Sequence, residues 1–233
     1  MPDIAHAAAG PQGTLSIARR PFMALLGGGL VAGALAPAHA AAPAASPAAA
    51  CGKVTRIRGE ARALRLRGAT ASLREGAPVF PLDLLRTAKE TRLEVTFTDE
   101  SKLTLGDDSE LQIDTYVFDP ARSEGQQFLG ITQGVFRMVT GNVAKLAGSP
   151  FRVRTPVATI GVRGTDFWGF QDARKLDLAL LGGAGLYAQN GAGWIDITQP
   201  RGLTTITGFD QRPTPVRVLS EQEIAVAAQT VTF

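Results

Sequence analysis

Arg92-Leu93-Glu94-Val95-Thr96-Phe97-Thr98 leads through Asp99-Glu100-Ser101 into Lys102-Leu103-Thr104-Leu105. Gly106-Asp107-Asp108-Ser109 then leads into Glu110-Leu111-Gln112-Ile113. Leu93, Val95, Phe97, Leu103, Leu105, Leu111 and Ile113 all stand at odd positions. Side chains alternate faces along a strand, so this phase predicts strands that line one core face. The polar clusters between the runs read as turns, where Asp, Ser and Gly serve the backbone.

The same signal extends outward in both directions. Short strands are predicted at 53–58, 61–66, 127–132, 134–139, 151–155, 157–163, 166–171, 175–181, 185–188, 193–198 and 203–207. A strand every ~8–12 residues with turns between predicts an all-β fold, a solenoid- or sandwich-like stack of short twisted strands. The abundance of Gly (26) and Pro (14), with only 6% aromatic residues, suits a turn-rich β protein. A helical signal comes only at the end. Ser220-Glu221-Gln222-Glu223 offers a capping box for a short helix over 221–229.

Composition removes whole classes of chemistry. The two histidines are His6 and His39, and the single cysteine is Cys51 at the edge of an Ala/Pro stretch. The body therefore has no means to build a histidine triad, a Cys–His nucleophile or an imidazole–thiolate zinc site. No phosphate-binding loop is present, and no cofactor is expected. Carboxylates remain. Asp99, Glu100, Asp107, Asp108 and Asp166 are candidates for glycosidase chemistry, or for calcium, by residue type alone. The first four sit in predicted turns and read as backbone formers, so Asp99→Ala and Asp107→Ala are expected to leave folding almost unchanged. The chain is read as a non-enzyme.

Residues 1–40 read as an address. Arg19 and Arg20, followed by Pro21 and Phe22, precede an apolar run to Ala36, and Ala38 and Ala40 frame a small-residue cleavage site. That order is a charged region, an apolar region and an A-x-A site. The arginine pair with Phe22 suggests twin-arginine export. The apolar run of roughly 15 residues is shorter than the ~20 needed to span a bilayer, so no span is expected after cleavage. Residues 41–51 form an Ala/Pro linker ending in Cys51, read as an unpaired linker thiol. Export to the periplasm would also remove nucleic acid from the partner list.

Charge is uneven along the body. Lys53, Arg56, Arg58, Arg62, Arg65, Arg67 and Arg74 face only Glu60 and Glu75 within 53–75, whereas 76–124 is acidic. Arg56, Arg58, Arg62, Arg65 and Arg67 are a possible face for an anionic partner. The alternative is pairing across the sheet with the acidic strands, which is the expected outcome. Trp168, Trp194 and Tyr187 are a possible stacking platform. Core burial is the expected place for the tryptophans.

One stretch is distinctive: Thr155-Pro156-Val157-Ala158-Thr159-Ile160-Gly161-Val162-Arg163-Gly164-Thr165-Asp166-Phe167. It reads as strand, bend, strand. Gly161 and Gly164 permit a backbone that other residues resist. Arg163 and Asp166 are close enough in sequence to brace the bend.

This segment, above all Val162-Arg163-Gly164-Thr165 with Phe167 and the preceding Thr155-Pro156, resembles the periplasmic domain of the FecR family. Leu82-Asp83-Leu84-Leu85-Arg86-Thr87 and Phe97-Thr98-Asp99-Glu100-Ser101-Lys102-Leu103-Thr104-Leu105 are similar to earlier family segments. Glu100 stands where the family has glycine, so that turn either does without positive φ or carries slight strain. The resemblance runs over about 52–170. Residues 171–219 would continue the β stack or form a small appendage, and 220–233 a helix and tail.

The resemblance implies a non-enzymatic protein-interaction or signalling accessory in a Gram-negative cell envelope. Its expected partner is an outer-membrane receptor or an inner-membrane sensor. The sequence does not carry over the family's transmembrane anti-sigma arrangement, because a leader takes the place of the membrane span. The alternative is a β module that binds cell-wall glycan or lipopolysaccharide. Oligomeric state is not legible.

Overall fold

The odd-phase run splits between two layers. Leu93, Val95 and Phe97 lie on β6 (Arg92–Phe97), and Leu103 and Leu105 on β7 (Lys102–Leu105). Leu111 and Ile113 lie on β8 (Glu110–Asp119), in the facing layer. All seven are at most 2% exposed. They share one core, but not one sheet face, because the turn at Gly106–Ser109 carries the chain across the sandwich. Each such leucine, valine or phenylalanine removed from water contributes about 1.5–3 kcal/mol.

The computed structural model describes residues 49–146 and 151–233. The expected leader, with Arg19, Arg20, Phe22, Ala38 and Ala40, lies outside the described residues, as do 41–48 of the expected linker. None of the described helices is long and apolar enough to cross a membrane.

Sheet 1 contains β6 and β7 together with β1 (Gly52–Arg58), β4 (Pro78–Val79), the second half of β9 (Glu124–Val139), β12 (Thr165–Gln171), β13 (Leu176–Gly183), β16 (Gly202–Ile206) and β17 (Arg217–Val218). Its order is β4-β1-β6-β7-β9-β12-β13-β16-β17, antiparallel throughout. Sheet 2 contains β8 and the first half of β9 with β2 (Ala61–Leu64), β3 (Thr70–Ser72), β5 (Leu84–Thr87), β10 (Phe151–Arg154), β11 (Thr159–Val162), β14 (Leu186–Asn190) and β15 (Gly193–Ile197). Its order is β3-β2-β5-β8-β9-β10-β11-β14-β15, with β9 and β10 parallel.

The two sheets pack as an open sandwich, and the chain steps between layers as it advances along both. The predicted strands 127–132 and 134–139 are one strand that changes sheets at Gly134. There φ is +101°, and a Cβ would overlap Ser109, so glycine alone allows the close crossing. Strands after 171 extend both sheets.

Helix α1 (Glu221–Gln229) begins at Ser220, whose hydroxyl accepts from the Glu223 N–H while the Glu223 carboxylate accepts from the Ser220 N–H. It packs on the outside of sheet 1. Trp168, Val135, Leu203 and Leu219 meet Ala227 and Val231 there, in a second apolar cluster. The Trp168 Nε1–H donates to Thr230 Oγ1 at 3.0 Å. Trp168 is core, as expected.

A linker reading and a turn reading are corrected. Cys51 is a core residue beside Val79, 3% exposed, and not a linker thiol. Burial pushes its thiol up to about 12. Asp99 is fully buried. Its carboxylate accepts from the Ser101 N–H and hydroxyl, the Tyr116 hydroxyl and the Val143 N–H. It ties the β6–β7 turn to the stretch after β9, which is more than a turn former does. Glu100 beside it has φ +70°, so the turn takes the strained option.

Candidate functional site

The distinctive stretch 155–167 forms a hairpin and then a crossing between sheets. Thr155 Oγ1 accepts from the Val157 and Ala158 N–H groups and fixes the turn between β10 and β11, with Pro156 exposed at its tip. β11 ends at Val162. Arg163 and Gly164, the latter at φ +67°, take the chain from sheet 2 to sheet 1. Thr165 Oγ1 donates to the Gly185 carbonyl at 2.6 Å, and Thr140 Oγ1 accepts from the Thr165 N–H at 2.7 Å. Phe167 fills the core edge-on to Phe136, centroids 6.1 Å apart.

The expected brace between Arg163 and Asp166 does not form. Asp166 instead accepts a two-point bond from Arg137 on β9, at 2.9 and 2.6 Å. That carboxylate raises the Arg137 pKa. Position 166 points outward from sheet 1, whereas Arg163 stays on the sheet 2 side. Its guanidinium lies 3.8 Å from Asp196 and 5.8 Å above the Tyr187 ring.

The arginines of 53–75 do not make one face. Arg56 and Arg58 are exposed on the outside of sheet 1, where Arg56 covers the Phe233 ring at 4.2 Å. Arg62 projects from sheet 2, in register with Arg86. Arg65 is used internally: it stacks on Phe80 at 4.7 Å, donates to the Pro78 carbonyl and lies 3.9 Å from Asp83. Arg67 lies in the turn Leu66–Gly68. Cross-sheet pairing is equally partial. Arg56 stands in register with Glu94, but the close pairs belong to later arginines, Arg86–Glu110 at 2.6 Å and Arg92–Asp107 at 3.1 Å. Residues 53–75 therefore carry a divided charge because β1 and β2 enter different sheets.

The chemistry that does converge lies on the outside of sheet 2. Register places Phe128, Arg152, Gly161, Tyr187 and Asp196 in one row across β9, β10, β11, β14 and β15. The adjacent row is Gly130, Arg154, Thr159, Gln189 and Trp194. Gly161 is what lets the first row lie flat, since a Cβ there would overlap the Tyr187 ring, which lies across it. Trp194 is 66% exposed, which corrects the expectation of burial. Residue 194 sits on the edge strand β15, pointing away from the core side taken by Ile197.

Arg152 lies 5.8 Å from the Phe128 ring centroid, and Arg154 pairs with Asp114 at 2.7 Å. Between them is a cleft of about 200 Å³ that Thr159 also lines. The sequence reading missed Arg152 and Arg154. Their signal was the alternation Phe151-Arg152-Val153-Arg154, which sends both arginines to the face opposite two core residues.

Two other concavities differ in kind. One of about 700 Å³ mixes Arg58, Lys89 and Arg92 with Glu60, Glu90 and Asp107, so its charges balance. The other, about 570 Å³, is an apolar groove between α1 and sheet 1 over Trp168 and Phe170. The carboxylates Asp99, Asp107 and Asp166 lie in separate environments. No group of three metal-ligating side chains comes together among the described residues.

Residues 83–184 match the family model described as FecR protein. Two crystal structures of a protein from Parabacteroides distasonis ATCC 8503, provisionally assigned as an anti-sigma factor, share the fold. Both align with a TM-score of 0.51, at 15% and 14% identity, over 64% and 63% of this chain. The chain spans 65% and 64% of the length of those two. No curated protein sequence matches. Tyr187 and Trp194 fall beyond the stretch that matches the family model.

Proposed function

From a chain that carries a FecR domain over residues 83–184, we propose a non-enzymatic signalling accessory of the cell envelope that works by binding another protein. The FecR match and the fold shared with proteins provisionally assigned as anti-sigma factors support a regulatory role. The observation that carries the reading is the match across the Thr155–Phe167 crossing, where hydrogen bonds and core packing hold both sheets in fixed relation. A rigid sandwich with open outer surfaces suits docking.

The envelope location rests on the leader motif. Arg19 and Arg20 direct export, Ala38 and Ala40 permit cleavage, and the remaining chain acts in the periplasm. The partner is an outer-membrane receptor or an inner-membrane sensor.

The test is cross-linking in the native envelope with a C-terminal tag, followed by identification of the captured protein. Recovery of one receptor or sensor is the expected result. Fractionation of an Arg19→Lys, Arg20→Lys double variant accompanies it, with the protein expected to stay in the cytoplasm. Capture of no protein at all, with the wild type correctly exported, would overturn the docking reading.

A further inference from the structure

The outside of sheet 2 has a composition that the sandwich does not need. Its two rows present the Tyr187 ring laid on the sheet, the Trp194 ring 66% exposed, and the guanidiniums of Arg152 and Arg154, with Arg163 beside them. Trp194 stands diagonally from Tyr187, because Tyr187 is in register with Asp196 and Trp194 with Gln189. Diagonal neighbours on one sheet face lie ~7–8 Å apart, within reach of one extended ligand. Gln189 and Thr159 fall between Trp194 and Arg154 in the second row and supply amide and hydroxyl groups.

We propose that this face binds an acidic polysaccharide, with sugar rings stacked on Trp194 and Tyr187 and the polymer's carboxylates held by Arg152 and Arg154. Three features select that ligand. The surface is shallow, and the cleft between Arg152 and Arg154 is lined by charged and hydroxyl groups beside Phe128, unlike the desolvated apolar pocket that anchors a protein hot spot. Flat rings flanked by planar amide and guanidinium groups match a ligand with apolar ring faces and hydroxyl edges. Asp114 and Asp196 lie among Arg152, Arg154 and Arg163, so the face has a small net positive charge, too little for the neutralisation of many phosphates that drives nucleic-acid binding. The site is independent of the protein partner proposed above, and Tyr187 and Trp194 lie outside the family match.

The experiment is gel retardation of the purified protein in polygalacturonate, in dextran and in buffer alone, read alongside tryptophan fluorescence. Polygalacturonate is expected to retard the wild type and shift the Trp194 emission, with dextran weaker. Trp194→Ala is expected to lose at least tenfold in apparent affinity. Arg152→Ala with Arg154→Ala is expected to lose a similar factor and abolish the preference for the acidic polymer. Trp168 emission, from a buried ring, reports that each variant is folded. Equal retardation of wild type and Trp194→Ala, or no retardation of the wild type, would overturn the proposal. Tighter binding of a single-stranded oligonucleotide than of polygalacturonate would also overturn it.

Discussion

Trp168 and Trp194 stand on the outward faces of the two sheets and meet opposite fates. Trp168 is 9% exposed under α1, whereas Trp194 is 66% exposed on β15. Among the described residues, one outer face is covered by the helix and the other is open. The reason is connectivity. β17 lies at the edge of sheet 1, and Ser220 starts the helix two residues later, so α1 can fold back only onto sheet 1. A closed outer face is an extension of the core, and an open one carrying rings and guanidiniums is available to a ligand.

The strongest way to break that comparison is to empty the covered site. Trp168→Ala should cost about 4 kcal/mol in urea unfolding, through lost packing and the lost indole N–H bond to Thr230. It should also loosen α1, seen as a smaller helical signal in circular dichroism. A cost under about 1 kcal/mol would mean that the helix only rests on sheet 1.

The acidic residues sharpen the same contrast. Asp99 and Asp107 look alike in sequence, each in a polar turn between β runs. Asp99→Ala should cost about 3 kcal/mol, because the Ser101 and Val143 N–H groups would be left buried without an acceptor. Asp107→Ala should stay within about 0.5 kcal/mol, since Asp107 is itself exposed and the Arg92 guanidinium keeps the Thr91 and Gln229 carbonyls as acceptors. Thermal or urea midpoints of the two variants, measured together, decide it. Similar losses would erase the distinction.

Much of the fold was legible. Strict alternation from Leu93 to Ile113 located the core, and Ser220 with Glu223 located the helix. The layer assignment was not legible, because period-two alternation shows that a residue faces inward but not from which sheet. That is why Arg56 and Arg62 seemed to share a face. The Arg163–Asp166 brace failed for a related reason. They are three positions apart, but the chain changes sheets between them, and Arg137, far away in sequence, is the diagonal cross-strand neighbour of Asp166. Asp99 was misjudged because a turn aspartate looks the same whether it faces water or the core. The site was half legible: Tyr187 and Trp194 drew notice as aromatics, while Arg152 and Arg154 were hidden in a short strand.

Asp166→Asn tests the corrected pairing. The bond with Arg137 is two-point but partly exposed, so the expected loss is about 1 kcal/mol. Arg137→Gln should lose a similar amount, and the double variant no more than either alone, whereas Arg163→Gln should be additive with Asp166→Asn. Additivity with Arg137 instead would restore the local brace.

Asp83 gives a pH-dependent version of the inward–outward contrast. Burial raises its pKa, against the Phe80 N–H and Arg65, which lower it. The folded state therefore holds this proton more tightly than the unfolded chain. That contribution is complete below the unfolded value, near 3.9, and is lost as pH rises through the higher folded value. Asp83→Asn retains an acceptor for the Phe80 N–H and cannot ionise. Its melting temperature should rise relative to wild type between pH 4 and pH 7. An unchanged difference across that range would mean that the buried carboxyl ionises as freely as an exposed one.

Trp194→Ala should have the smallest effect on stability, within about 0.5 kcal/mol, although it removes one of the largest side chains. Its ring lies on an edge strand, two-thirds exposed, with Gln189 as its cross-strand partner. Little apolar area leaves water on folding, so little is lost on truncation. Urea unfolding of this variant beside Trp168→Ala is the direct measurement. A loss above about 1 kcal/mol would mean that sheet 2 itself packs the ring, and the two outer faces would then differ in degree only. A silent effect on stability, joined to loss of polygalacturonate retardation, would place the value of that side chain in what it meets outside the fold.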